Sequence, residues 1–218
     1  TEVTGLAFDS RKVLKGSAFV AVNGTQVDGH EFIQKAIDLG ALAIICEQLP
    51  SKLNEKIAYV QVKDSAQALG LIASNFYGRP SEKMSLVGVT GTNGKSSITR
   101  FAAQMSHSLQ QSTGLMGTLG FGVWPNITES KNTTPELAVL LRKFAMMKTQ
   151  GAKQVAMEVS SHGIEQKRIE GLTFETAVFS NLSQDHLDYH GDMESYFSIK
   201  RELFLLPKLQ YAIINADD

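Results

Sequence analysis

The sequence predicts an α/β protein, with a small N-terminal α/β domain over residues 1–80 and a mostly parallel, phosphate-loop-type central domain over 81–218. Three observations predict it. Short β-branched runs alternate with longer amphipathic stretches along the 218 residues. One strand-like run passes through a glycine-rich turn, ending in Gly-Lys-Ser, directly into a helical stretch. The balance of 43% hydrophobic to 20% charged residues is that of a folded globular chain and excludes disorder.

In the N-terminal part, Ser17 to Val22 reads as a strand, Gly29 to Leu39 as a helix, and Ala41 to Cys46 and Ile57 to Val62 as strands. Asp64 to Tyr77 reads as a helix, with Asp64-Ser65 as its N-cap, and Gly78-Arg79-Pro80-Ser81 stops it and marks the domain boundary. The pattern restarts at Met84 with the buried strand Ser-Leu-Val-Gly-Val-Thr, the glycine-rich turn and a helix from Lys95 to Gln110. Thr134 at N-cap and Pro135 at the first helical position predict a helix to about Gln150. Val155 to Val159, Ala177 to Phe179 and Tyr211 to Ile214 are short apolar runs of a parallel sheet covered on both faces. Asp192 to Leu206 reads as a helix whose Met193, Tyr196, Phe197, Leu203 and Phe204 form an apolar stripe. The sequence stops directly after a strand, where a doubly wound domain should continue, so the chain reads as truncated.

Twenty-one Lys and Arg against 22 Asp and Glu give a net charge of -1, which leaves no overall footprint for nucleic acid. Cys46 is the only cysteine, so no internal disulfide can form; in its apolar run it reads as core packing in a cytoplasmic protein. No apolar run approaches the ~20 residues needed to span a bilayer, so no membrane insertion is expected.

The turn Gly91-Thr92-Asn93-Gly94-Lys95-Ser96-Ser97 carries the chemistry. Its glycines let backbone N–H groups converge on phosphate oxygens at a helix N-terminus, Lys95 adds a point charge, and the Ser96 hydroxyl can ligate magnesium. The spacing departs from the usual motif, which places a glycine where Val89 stands. Glu158 ends an apolar strand-like run and His186 follows another, so both can reach the crevice at the carboxyl ends of the strands. From the residues alone, the alternative for Glu158 is a strand-end carboxylate in a salt bridge. His186 and His190 are four apart, but Leu187 stands where a zinc-protease helix carries Glu, and no third ligand is evident. Lys200 falls within the apolar stripe and must either snorkel to the rim or be buried with a partner.

Thr90-Gly-Thr-Asn-Gly-Lys-Ser-Ser97 resembles the ATP loop of the Mur ligases, the ATP-dependent amino-acid ligases of peptidoglycan synthesis. Four further segments carry the resemblance toward the branch acting on UDP-N-acetylmuramoyl-L-alanyl-D-glutamate: Asp9-Ser10-Arg11, Asn132 to Glu136, Met157 to Gly163 and Asn181 to His190. The resemblance implies an ATP- and magnesium-dependent ligase, a monomer, that joins a diamino acid, L-lysine or meso-diaminopimelate, to that UDP-muramoyl-dipeptide. It implies Ser96, Glu158, His186 and a carbamylated Lys200 as metal ligands, with Lys95 and Lys200 catalytic. It places Ser10, Thr25, Gln26 and His30 toward the UDP end and Thr133, Thr134, Ser160, Gln166 and Arg168 toward the muramoyl-dipeptide. Read without it, Ser10 is a turn residue and Arg168 a surface arginine. A binding fragment without turnover, or a sibling such as a folylpolyglutamate synthase, are the alternatives; Asp9-Ser10-Arg11 and Glu158-Val-Ser-Ser-His162 speak against the sibling.

Overall fold

The structure, a computed structural model, describes residues 2–23, 27–130 and 132–218. The chain forms two compact units, Thr1–Phe76 and Tyr77–Asp218.

The first unit carries a four-stranded sheet of β1 (Gly5–Ala7), β2 (Ser17–Val20), β3 (Ala43–Cys46) and β4 (Ala58–Gln61), all parallel and adjacent in chain order. Helices α1 (Ile33–Asp38) and α2 (Ser65–Phe76) connect or follow them. Phe19, Ile44 and Cys46 from the strands bury against Ile33 and Ala36 of α1, so Cys46 is core packing as its apolar neighbours imply. The helix expected over 29–39 begins instead as a 3-10 turn, Gly29–Phe32, capped by the Asp28 carboxylate on the His30 amide. Asp64 caps α2 by accepting from the Gln67 amide at 2.8 Å.

The second unit is built on a seven-stranded sheet in the order β11-β10-β5-β9-β6-β7-β8. Its parallel members are β5 (Ser85–Thr90), β6 (Thr113–Gly117), β9 (Gln154–Glu158), β10 (Thr176–Phe179) and β11 (Tyr211–Ile214). Two antiparallel strands, β7 (Gly120–Val123) and β8 (Asn126–Thr128), extend one edge. The helices are α3 (Lys95–Ser108), α4 (Leu137–Thr149), α5 (Ser161–Glu165), α6 (Leu187–His190) and α7 (Met193–Arg201). Leu86 and Val89 of β5, and Val155 and Ala156 of β9, point to opposite faces of the sheet and are all buried, as a strand covered on both faces requires. From β5 the chain runs to one side, through β6 and β9, and returns to the other at β10 and β11. The carboxyl end of β5 is therefore the point where strand order reverses and ligands bind in such sheets.

Two further expectations are corrected. Helix α4 starts at Leu137 after Glu136, not at Pro135 after a Thr134 cap, because the Thr134 hydroxyl is engaged elsewhere. The helix expected to reach Leu206 ends at Arg201 and tightens into a 3-10 turn, Glu202–Leu205; its stripe buries Tyr196 and Leu203 but leaves Phe197 exposed. His190 closes the short helix α6 with its ring buried.

Candidate active site

Strand β5 runs through Thr90, with Val89 in the core and its carbonyl accepting from the Val159 amide at 2.8 Å. The turn therefore begins only at Gly91, which explains why valine stands where the usual motif has glycine. At Gly91 a Cβ would lie 3.0 Å from the Asn181 carbonyl oxygen and in the Ser180 hydroxyl, so no side chain fits. Gly94, the N-cap of α3, takes the left-handed conformation at φ 86°. Lys95, the first residue of α3, folds back and donates to the carbonyls of Gly91 and Thr92, both at 2.8 Å. Burial pushes its pKa down, while the carboxylates of Glu158 and Asp185 pull it back up. Ser96 is half-buried on the first turn of α3, and Ser97 is exposed.

Glu158 ends β9 almost fully buried, its Oε1 accepting from the Thr118 amide at 2.8 Å and its Oε2 from the Thr118 hydroxyl at 3.3 Å. Thr118 also meets the Thr133 hydroxyl at 3.0 Å. One residue on, the Thr134 hydroxyl donates to the Glu158 carbonyl and accepts from the Ser160 amide, both at 3.0 Å. Ser160 caps α5 by accepting from the Gly163 amide at 3.1 Å. Arg168 donates to the Thr134 carbonyl at 2.7 Å, pairs with Glu136 at 3.1 Å and reaches the Gln166 side chain. Thr133, Thr134, Ser160, Gln166 and Arg168 are thus one connected network around the end of β9.

Lys200 of α7 does not snorkel. It is 1% exposed, its Nζ donating to the same Gly91 carbonyl at 3.1 Å and lying 4.2 Å from the centre of the Tyr196 ring. Burial first, then the nearby Lys95, lowers its pKa to about 7. The Tyr196 hydroxyl in turn meets Thr92 Oγ1 at 3.4 Å. Beside this lies a ring cluster in which His162 stacks on Tyr189 at 4.2 Å and meets His186 at 5.1 Å and His190 at 5.3 Å. His190 Nε2 pairs with the Ser161 hydroxyl at 2.9 Å. His186 sits half-exposed in the left-handed conformation at φ 53°, with the Asp185 carboxylate 3.4 Å from Nε2.

Among the described residues no group of three His, Cys, Asp or Glu could hold a metal. Magnesium needs no such cage, since it keeps several waters and takes one or two protein oxygens plus substrate phosphates. The oxygen donors Glu158, at the end of β9, and Ser96, next to Lys95 on α3, fit it; His186 joins the set by resemblance alone.

In the first unit, Asp9 accepts from the Arg11 amide and clasps the Arg11 guanidinium at 2.9 Å, which lowers the Asp9 pKa and sets Ser10 buried in a 3-10 turn. His30 Nδ1 lies 2.6 Å from Asp28 Oδ1, and its Nε2 accepts from the amides of Glu47 and Gln48 at 2.9 and 3.3 Å. Both ring nitrogens are spent within the protein. Thr25 and Gln26 lie outside the described residues.

Asn181 and Tyr196 bond to the loop, Asp185 acts on Lys95 and Thr118 holds Glu158, roles for which none of the four was singled out from the sequence. Asp185 and Asn181 stand in the quoted segment 181–190, which is the signal that could have found them; Thr118 lies in a glycine-rich hairpin with no signal of its own.

Residues 89–218 match the family described as the Mur ligase middle domain, and residues 2–77 match the family described as Mur ligase family, catalytic domain. Over 218 residues the chain is 45% identical to the UDP-N-acetylmuramoyl-L-alanyl-D-glutamate–2,6-diaminopimelate ligase of Parabacteroides distasonis, covering 100% of this chain and 45% of that protein. A relative of the same name from Ectopseudomonas mendocina is 46% identical over 215 residues, 98% of this chain and 44% of its own length. A solved structure of a protein so named superposes with a TM-score of 0.83 at 37% identity, covering 99% of this chain and 44% of that one. The chain spans less than half the length of these relatives. Among the described residues no helix is long and apolar enough to cross a membrane. The chain belongs to the Mur ligase family.

Proposed function

We propose that this chain is the substrate- and ATP-binding part of a ligase that joins meso-diaminopimelate to UDP-N-acetylmuramoyl-L-alanyl-D-glutamate. The observation that carries the reading is the convergence on one loop: Lys95, under the influence of Glu158 and Asp185, and Lys200 meet at the Gly91 carbonyl at the carboxyl end of β5. The relatives named for 2,6-diaminopimelate favour that amino acid over lysine.

In this reading the amides at the start of α3 and the Lys95 ammonium grip the triphosphate of ATP, which draws Lys95 off the carbonyls it now holds. Ser96, Glu158 and His186 would hold magnesium, which supplies charge neutralisation at the phosphates when bound. Thr134, Ser160 and Arg168 orient the D-glutamate carboxylate, Arg168 through its planar fork. A carboxylate oxygen of the D-glutamate attacks the γ-phosphorus, ADP leaves, and an acyl phosphate forms. The diamino acid amine then attacks the acyl carbon, phosphate leaves, and the amine gives up a proton. Lys95 stabilises charge in both steps, and positioning carries the rate. Ser10 with Thr25 and Gln26 would meet the UDP end, while His30 shapes the adjoining turn from within. Carbamylated by carbon dioxide, Lys200 would present a carboxylate-like group to a second magnesium.

The test is turnover by the full-length protein. With ATP, magnesium and the UDP-muramoyl-dipeptide, phosphate release should require meso-diaminopimelate, and mass spectrometry should show the tripeptide product. Release with L-lysine at equal efficiency would refute the amino-acid assignment, and no release with either would refute the ligase reading.

A further inference from the structure

We propose that Asn181 is a positioning residue that holds the phosphate loop in its nucleotide-gripping shape. Strands β5 and β10 pair in parallel as far as Thr90 and Phe179, where the ladder would ordinarily end. Here it continues. The Ser180 amide donates to the Thr90 carbonyl at 3.0 Å, and the Thr92 amide donates to the Asn181 carbonyl at 2.9 Å. The Asn181 side chain then takes the place of the next strand residue: the Asn93 amide donates to Oδ1 at 2.9 Å, and Nδ2 donates to the Asn93 carbonyl at 3.0 Å. The Ser180 hydroxyl supports the same carbonyl at 2.6 Å.

Only a planar primary amide offers an acceptor and a donor at this spacing. Asn93 lies between Gly91 and Gly94, both at positive φ and without a Cβ to restrict the backbone, so without a partner it would sample many conformations. Pairing both backbone groups of Asn93 removes that freedom and leaves the following amides, from Gly94 into α3, as the ones directed at a ligand. The loop reaches its partner closely, since Gly91 has no room for a Cβ against the Asn181 backbone. Ordering the loop before nucleotide arrives lowers the entropic cost of binding, so the contribution of Asn181 should appear in nucleotide affinity and not in the affinity for the other substrates.

This inference rests on the nucleotide-binding reading above. In the full-length protein, binding of magnesium-ADP and of the UDP-muramoyl-dipeptide is measured by calorimetry for wild type, Asn181→Asp and Asn181→Ala. Aspartate is nearly isosteric but replaces the donor with an oxygen facing the Asn93 carbonyl; alanine removes both contacts without adding charge, so charge repulsion alone cannot explain a shared effect. Both variants should weaken ADP by about tenfold or more, equivalent to about 1.4 kcal/mol per decade. UDP-muramoyl-dipeptide affinity should stay unchanged, and in turnover KM for ATP should rise while kcat changes little. Unchanged ADP affinity in the two variants would overturn the proposal, as would parallel losses for both ligands, which mark a merely structural residue. If a variant is less stable, the ratio of the two affinities still decides. Wild-type protein that binds the UDP-muramoyl-dipeptide but no ADP would overturn both this proposal and the nucleotide-binding reading.

Discussion

Lys200 shows how one side chain can be wrong for its surroundings and informative because of it. A lysine in an apolar stripe is costly as a cation, and here it has no carboxylate within ion-pair distance among the described residues, only a carbonyl and a ring face. Its pKa of about 7 leaves much of the amine neutral and nucleophilic near neutral pH. Carbamylation should therefore be detectable: after incubation with 13C-bicarbonate, wild-type protein should show a carbamate carbon resonance by NMR that Lys200→Arg lacks. The guanidinium stays protonated and offers no neutral amine to carbon dioxide, and kcat of that variant should fall by about 100-fold, the size of one lost electrostatic contact in a transition state. The sign with pH follows from the lowered value. Below about 7 the folded-state amine gains its proton, so activation by bicarbonate should fade as the pH drops through that point. Activity equal to wild type in Lys200→Arg would remove Lys200 from the mechanism.

At the scale of elements, strand ends and helix faces decide what each residue can do. Strand β6 ends in Gly117, where a Cβ would come within 2.6 Å of the Glu158 Cγ and Cδ atoms. Gly117→Ala should displace the carboxylate from Thr118 and lower kcat/KM about tenfold or more, as misplacing a reacting group does. A fall confined to Tm, with kcat/KM intact, would show that Glu158 is not in the chemistry. Helix α4 turns Lys143 onto the Phe121 ring of β7, 3.7 Å from its centre, and burial pushes the Lys143 pKa down. Between that lowered value and the ordinary lysine value the unfolded chain binds more protons, so stability rises with pH across the window. Lys143→Met should raise Tm at pH 7 by about 2 °C and lose that advantage as the pH approaches ~10. A gain that does not shrink would contradict it. The same elements show what the sequence makes legible. The parallel strands read clearly because Leu86, Val89, Val155 and Ala156 are apolar on both faces, and the glycine-rich turn stood out between β5 and α3. The β6–β7–β8 meander did not, because Gly114, Gly117, Gly120 and Gly122 interrupt every apolar pattern there. Thr134 misled as a helix cap because its hydroxyl serves a partner 24 residues away, a contact that local reading cannot foresee.

At the scale of the whole chain, β11 breaks the rule that parallel strands are covered. It pairs with β10 from Thr176↔Tyr211 to Phe179↔Ile214, yet Tyr211, Ile213 and Ile214 are 58%, 56% and 63% exposed. Successive side chains point to opposite faces, so Ile213 on one and Ile214 on the other leave both uncovered, and the outer edge pairs with no further strand among the described residues. Such an edge is a template for another chain. A chain of these 218 residues alone should therefore self-associate at micromolar concentration, against the monomer expected from the family resemblance, with the light-scattering mass rising as concentration increases. Ile213→Lys should return it to monomer with an unchanged circular dichroism spectrum. In a protein as long as the relatives, where further chain can cover this face, the sign reverses: Ile213→Lys should lower Tm and leave the association state alone, because it then buries an unpaired ammonium. A 218-residue chain that stays monomeric at every concentration would refute the prediction, and an Ile213→Lys chain that associates like the parent would locate the association elsewhere than β11.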